Sequence, residues 1–380
     1  MSYILDISTA LPEFAISNER YLQFYAKACK QEENPAFLQK LQLLRQKTKI
    51  NQRYSCIPDF NGEQFELFEA NNHTLTLEKR LDIYRKKVVP LATQAIDRLL
   101  KNTGVAANEI THLITVSCTG MFAPGLEFLL ADHYGMKDVE KSAVNFLGCY
   151  AALKALKQAR YITQAYPQAS VLIVSAELCS LHFFPSMADE DVVANLLFAD
   201  GAAAVLVCGK ENKHVQNKVL LSIDETGTTC IPDSAKLMTW EMTSHAFRMF
   251  LSKQIVQVIR ENIEPVMKEF LGEEEAAHSV WAIHPGGIKI VEAIQDKLGL
   301  SPQQVEDSLH VLAHQGNMSS PTILFILERI FQKLKSNPSP QKIVSCAFGP
   351  GITVELIRFS VALPEANSVP SNTEVHAVEH

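Results

Sequence analysis

The sequence predicts an α/β sandwich assembled from two similar halves. Segments with strand and helix patterns alternate in both halves of the chain. The strand-like runs are short and rich in β-branched or small residues, as buried strands are. At 380 residues the chain also exceeds what one small core organises. The expected halves are residues 1–212 and 213–362. A polar tail with two prolines, residues 363–380, is expected to be disordered.

Each element has its own warrant. Residues 19–48 are charged and read as helical. HLITVSCTG (112–120) reads as a buried strand closed by Gly120, and KSAVNFLG (141–148) as another. Beyond Cys149, the residues Ala152, Leu156, Ala159 and Ile162 keep helical spacing until Pro167. ASVLIVSAE (169–177) and DGAAAVLVCG (200–209) are further strands, the second with small residues that permit close packing. A long helix is expected over about 245–270, with Phe247, Phe250, Leu251, Ile255, Val258 and Ile259 on one side. SVWAIHP (279–285) reads as a strand leading to a helix after Gly287. HVLAHQGN (310–317) reads as a strand leading to an apolar helix from Pro321. QKIVSCAFGPGITVELIRF (341–359) reads as two strands around a Gly-Pro-Gly turn.

Composition excludes several functions. Net charge is 35 − 42 = −7, and no Lys/Arg-rich run stands out, so neither nucleic acid nor an anionic membrane is an expected partner. The N-terminus MSYILDISTALPEFAIS lacks a basic region, and Asp6 and Ser8 interrupt its apolar residues, so it does not read as a signal peptide. No apolar run has the length of a membrane span. The eight cysteines show neither CxxC pairs nor zinc spacing and read as free thiols of a cytoplasmic protein. No metal is expected, and no strand-bound G-x-G-x-x-G calls for a redox cofactor.

Three residues stand out against this background. In NFLGCYAALKALKQARY, Cys149 follows a glycine at the start of a helical pattern, where free N–H groups favour a thiolate. WAIHPGG places His284 at a strand end before two glycines, and HQGNMSSP places Asn317 at the expected end of the next strand. Each has an ordinary reading alone: a core cysteine, a satisfied histidine, a turn asparagine. Together they make chemical sense at strand ends of an α/β fold. The histidine activates the thiol, and histidine and amide donate to an oxyanion or enolate.

The segments FLGCYAALKAL, VLIVSAEL, LLFADGAAAVLV, IHPGG, GNMSS and AFGPG, in this order and spacing, resemble the type III polyketide synthases. These are the chalcone-synthase-like enzymes, and the resemblance spans about residues 1–360. It implies a thiolase-like five-layered αβαβα sandwich and a homodimer. It also implies acyl-CoA and malonyl-CoA as substrates, without further cofactor. Cys149 would carry the starter and the growing chain, while His284 and Asn317 would serve acyl transfer and malonyl decarboxylation. Phe198 and Phe247 match the family's gatekeeping phenylalanines. Ser319 belongs to the GNMSS segment, and Gly349 and Pro350 to a turn shaping the cavity wall. Lys40 and Lys47 match positions that grip CoA phosphates, although Leu43 stands where the family has arginine, with Arg45 nearby. Cys118, Cys179 and His182 replace cavity-lining threonines of the plant enzymes. Ala123 replaces a methionine that reaches into the partner subunit's cavity, so plant-type specificity does not carry over.

The expected reaction is repeated decarboxylative condensation of malonyl-CoA onto an acyl-CoA starter, then closure to a pyrone, resorcinol or phloroglucinol. The alternative is a single-condensation ketosynthase III-like or pyrone-forming enzyme fed by acyl carrier protein, using the same three residues. A lipid- or partner-binding homologue without activity is a third class, disfavoured by the complete reactive set.

Overall fold

The structure is a computed structural model that describes residues 1–62, 64–68, 75–272 and 278–364. The tail expected at 363–380 lies outside these residues except for Leu363 and Pro364.

The first half contains β1 (Ser2–Ala10), β2 (Phe14–Ser17), α1 (Asn18–Ala28), α2 (Pro35–Thr48), β3 (Gln52–Ser55), α3 (Leu77–Thr103) and β4 (His112–Ser117). It continues with α4 (Leu126–His133), β5 (Glu140–Asn145), α5 (Ala151–Ala165), β6 (Ser170–Leu178), α6 (Asp189–Leu197) and β7 (Asp200–Gly209). The second half contains β8 (Leu220–Cys230), β9 (Met238–Met242), β10 (Phe247–Leu251), α7 (Ile255–Leu271) and β11 (Val280–Ile283). It ends with α8 (Ile288–Leu298), α9 (Glu306–Gln315), α10 (Thr322–Ser336), β12 (Lys342–Gly349) and β13 (Thr353–Ala362).

The duplication that sequence identity does not reveal is legible in the strand order. The first half runs β1-β7-β6-β4-β5, and the second runs β8-β13-β12-β11. In each, the first strand pairs antiparallel with the last, and the last antiparallel with the one before it. That strand then pairs parallel with an earlier one. The halves join edge to edge where Tyr3 meets Ser222 and Ile4 meets Leu221.

Alternation along the strands builds five layers, because neighbouring side chains point to opposite faces. Leu5, Leu172 and Leu206 pack on α3 on one outer side. Ile4, Ile173 and Val205 face inward onto α5 and α10, which also receive Ile343, Ala347 and Phe359 from the second half. Val344, Cys346 and Phe348 face α7 and α8 on the far side. The central α10 buries Ile323 through Leu327 without a break, as a helix between two sheets must.

Four expected elements are corrected. The charged stretch 19–48 is two helices, parted by Lys30 with a positive φ and restarted by Pro35 at the first turn of α2. The strand expected at 141–148 stops at Asn145, because Phe146 and Gly148 both take positive φ. The helix expected over 245–270 begins only at Ile255. Phe247–Leu251 is instead a strand paired with β9, with Phe247 buried and Arg248 exposed. The strand expected at 310–317 is the end of α9. There Asp307, Ser308, Val311 and Leu312 are buried at helical spacing, and a short apolar run alone did not distinguish the two.

Candidate active site

The loop after β5 carries Cys149 in a single 3₁₀ turn, Gly148–Tyr150, directly ahead of α5. Gly148 has φ +75°, and a Cβ there would lie 2.4 Å from Pro350 Cδ. Only glycine lets this loop rest on the Gly349-Pro350 turn. The N–H of Gly148 donates to Cys118 Sγ at 3.1 Å, so Cys118 supports the loop from behind.

Cys149 is buried, and its thiol lies 3.7 Å from Ser319 Oγ. Burial pushes its pKa up to about 12, and the hydrogen bonds from Ser319 and Asn317 only partly oppose this. Burial thus opposes the thiolate that the helix start favours. His284 follows β11 and is 1% exposed. Its backbone N–H donates to the Cys346 carbonyl at 2.8 Å, but neither ring nitrogen has a hydrogen-bond partner among the described residues. Burial lowers its pKa to about 3, which keeps the imidazole neutral. Asn317 follows Gly316, the residue that ends α9 with φ +76°. Its Oδ1 accepts the Ser319 N–H at 2.8 Å, which leaves the amide NH₂ as the end that donates toward Cys149.

Cys149, His284 and Asn317 line one cavity of about 530 Å³, together with Leu197, Phe198, Leu251, Ile288 and Phe348. Lys47, Lys253 and Lys289 also line it, as do Asp189 and Glu190. Lys253 and Lys289 are cations that motif reading misses. Lys289 sits two residues beyond the IHPGG segment, a signal available in the sequence.

Several expected pocket residues lie elsewhere. Phe198 borders the cavity and also a separate void of about 40 Å³, whose wall includes Cys179, His182 and Phe247. Phe247 is buried and stacks on His182 with ring centroids 4.5 Å apart, so it packs behind Phe198 and off the cavity wall. Ala123 is exposed in the single chain. Lys40 is not on the cavity wall: its Nζ lies 2.6 Å from Asp189 and donates to the Met187 carbonyl at 2.7 Å. Lys47 is exposed and has no ion-pair partner among the described residues.

Sequence reading also misses Glu177. It is fully buried and accepts from the Cys118 N–H and the hydroxyls of Thr119, Ser117 and Ser320. Burial raises its pKa, and these bonds oppose the rise. Its role is visible only in space, where it ties β4, β6 and the start of α10 together beneath the Cys149 loop.

Among the described residues no helix is long and apolar enough to cross a membrane. A family model for the N-terminal domain of chalcone and stilbene synthases matches residues 1–211, and one for the C-terminal domain matches residues 222–362. Type III polyketide synthase B of Arabidopsis thaliana is 30% identical over 366 residues, covering 93% of this chain and 92% of the relative. An α-pyrone synthesis polyketide synthase-like protein of Mycobacterium tuberculosis is 29% identical over 332 residues, covering 86% and 84%. The crystal structure of a polyketide synthase from the brown alga Ectocarpus siliculosus overlays with a TM-score of 0.88 at 27% identity, covering 95% of this chain and 98% of that one. The layered sandwich is thus the thiolase-like fold expected from the sequence. With both family domains matched in order around one cavity, the chain belongs to the chalcone and stilbene synthase family and is a type III polyketide synthase, an acyltransferase.

Proposed function

We propose that the enzyme condenses malonyl-CoA repeatedly onto an acyl-CoA starter held on Cys149, and that the product closes to a pyrone, resorcinol or phloroglucinol. The observation that carries this reading is the shared cavity wall of Cys149, His284 and Asn317, where both imidazole nitrogens lack a hydrogen-bond partner among the described residues.

The thiol of Cys149 attacks the starter thioester while a ring nitrogen of His284 takes its proton. The Cys149–acyl bond forms, the acyl–CoA bond breaks, and the proton leaves on CoA. Malonyl-CoA then loses CO₂, and the enolate oxygen is held by the His284 N–H and the Asn317 amide. The enolate carbon attacks the acyl thioester on Cys149. A carbon–carbon bond forms and the Cys149–acyl bond breaks, giving a β-ketoacyl-CoA two carbons longer that can reload. No step needs a metal or redox cofactor. The position of Lys47, Lys253 and Lys289 on the cavity wall supports a role in meeting the CoA phosphates. The apolar wall favours a fatty acyl starter, at roughly 0.8 kcal/mol per buried CH₂. The α-pyrone function in the name of the mycobacterial relative supports pyrone closure.

We also propose a cytoplasmic homodimer. Eight free cysteines support a reducing compartment. The exposed Met121 and Phe128, with the exposed edge strand β5, support self-association.

Mass spectrometry of products formed from malonyl-CoA and a panel of acyl-CoAs tests the proposal. Turnover confined to acyl-carrier-protein esters would favour the single-condensation alternative.

A further inference from the structure

Arg53 lies on β3 and is 2% exposed, yet no carboxylate among the described residues lies within ion-pair distance of it. Its partners are main-chain carbonyls. Nη1 donates to Asn195 at 3.2 Å and Phe198 at 3.4 Å, and Nη2 donates to Leu196 at 2.8 Å. The Tyr21 ring lies 4.2 Å from the guanidinium, and the Tyr21 hydroxyl donates to the same Asn195 carbonyl at 2.6 Å.

These carbonyls are the orphan acceptors at the end of α6. Phe198 leaves that helix in an extended conformation, so they need donors from outside. The one carbonyl of the run that Arg53 skips, Leu197, accepts the N–H of Asn317 at 3.0 Å. The Ala199 N–H returns to the Asn317 carbonyl at 2.9 Å. Four consecutive carbonyls are therefore claimed by Arg53 or by Asn317. Gly316 brings the segments close: a Cβ there would lie 3.1 Å from Ala199 Cβ and 3.6 Å from Arg53 Cβ. A buried cation is a costly cap where water or a glycine turn would serve. What it holds explains the choice: directly Phe198, the wall between cavity and void, and, through the Leu196–Phe198 run whose Leu197 carbonyl and Ala199 N–H bond Asn317, the cavity amide.

We propose that Arg53 is a positioning residue that locks Phe198 and Asn317 into one unit, and so controls malonyl decarboxylation and the number of extensions. This rests on the polyketide synthase reading of the cavity above. Arg53 touches no reacting atom; it acts through the two residues it places. Loading of Cys149, whose loop is held by Cys118 and Pro350, depends on it less, through the Asn317 amide alone.

The test compares wild type with Arg53→Lys, which keeps the charge but cannot span three carbonyls, and with Tyr21→Phe, which removes one hydroxyl from the same Asn195 carbonyl. Two rates and one distribution are read on each: acyl loading of Cys149 by intact-protein mass spectrometry, malonyl-CoA decarboxylation without starter, and product chain length. Small displacements of a catalytic group cost about 10–100-fold. Arg53→Lys is expected to lose decarboxylation on that scale, to load Cys149 at nearly the wild-type rate, and to spread the product lengths. Tyr21→Phe is expected to shift the same ratio in the same direction by less, and it carries the test if Arg53→Lys does not fold. An active wild type whose variants show only a lower thermal midpoint, with unchanged ratio and product lengths, overturns the proposal alone. A wild type that makes no polyketide overturns the functional reading and this proposal with it.

Discussion

Gly148 and Pro350 touch across 202 residues of chain: a Cβ on Gly148 would sit 2.4 Å from the proline Cδ. The Cys149 loop of the first half is thereby seated on the Gly-Pro-Gly turn of the second. Gly148→Ala must push that turn away and adopt a φ of +75°, a strain of about 1–3 kcal/mol before any clash. The variant is expected to lower the thermal midpoint and slow alkylation of Cys149 by a thiol reagent. Alkylation at the wild-type rate would show that the seat does not place the thiol.

Asn317 has two ends with separate jobs. Its Oδ1 holds the Ser319 N–H, while its NH₂ faces the thiol. Asn317→Asp keeps the first and loses the second. Malonyl decarboxylation is expected to fall about 10²–10³-fold in Asn317→Asp and Asn317→Ala alike, the usual effect of losing an oxyanion donor. A near-normal rate in Asn317→Asp would assign the side chain to holding Ser319 alone.

Asp189 pairs with Lys253, one of the cavity-wall cations proposed to meet the CoA phosphates. It lies 2.6 Å from Lys40 and 3.2 Å from Lys253. Asp189→Asn is expected to lower KM for acyl-CoA a few-fold at low salt, with kcat unchanged. Reversing Lys47 and Lys289 to Glu is expected to raise KM. Steady-state kinetics at two ionic strengths checks both, and equal effects at high salt would remove the electrostatic explanation.

His182 makes the protein acid-sensitive. Burial holds its pKa at about 3, and its Nδ1 accepts the Phe247 N–H at 3.1 Å while Nε2–H donates to the Thr119 carbonyl at 2.6 Å. The unfolded ring titrates near 6.5. Between those values the unfolded chain binds a proton that the folded chain refuses. Stability from this group is therefore full above pH 6.5 and is lost as pH falls toward 3. From pH 7 to pH 5 the loss is about 2 kcal/mol. His182→Gln, whose amide can keep both hydrogen bonds, is expected to lose that much less over the same range in urea titrations. Parallel pH dependence in variant and wild type would place the acid sensitivity elsewhere. Asp200 works the other way: burial raises its pKa to about 6, so its contribution grows as pH falls through 6.

The sequence alone determined the elements whose periodicity is local, and the family. Strand β7 fills its expected 200–209 range, and α10 starts one residue past Pro321. Cys149 and His284 each carry a local signature, a glycine before a helix and a strand end before glycines, whereas the strand expected to end at Asn317 is the end of a helix. Tertiary structure alone decided how these residues are charged and what stands behind them. Cys149 meets Ser319 across 170 residues, and burial, which no local pattern encodes, pushes the thiol's pKa up and that of His284 down. Phe247 packs on His182, Lys40 is claimed by Asp189, and Arg53 caps a helix more than 140 residues away. Desolvation and hydrogen bonding depend on neighbours in space, and those neighbours come from segments that only the folded sandwich brings together.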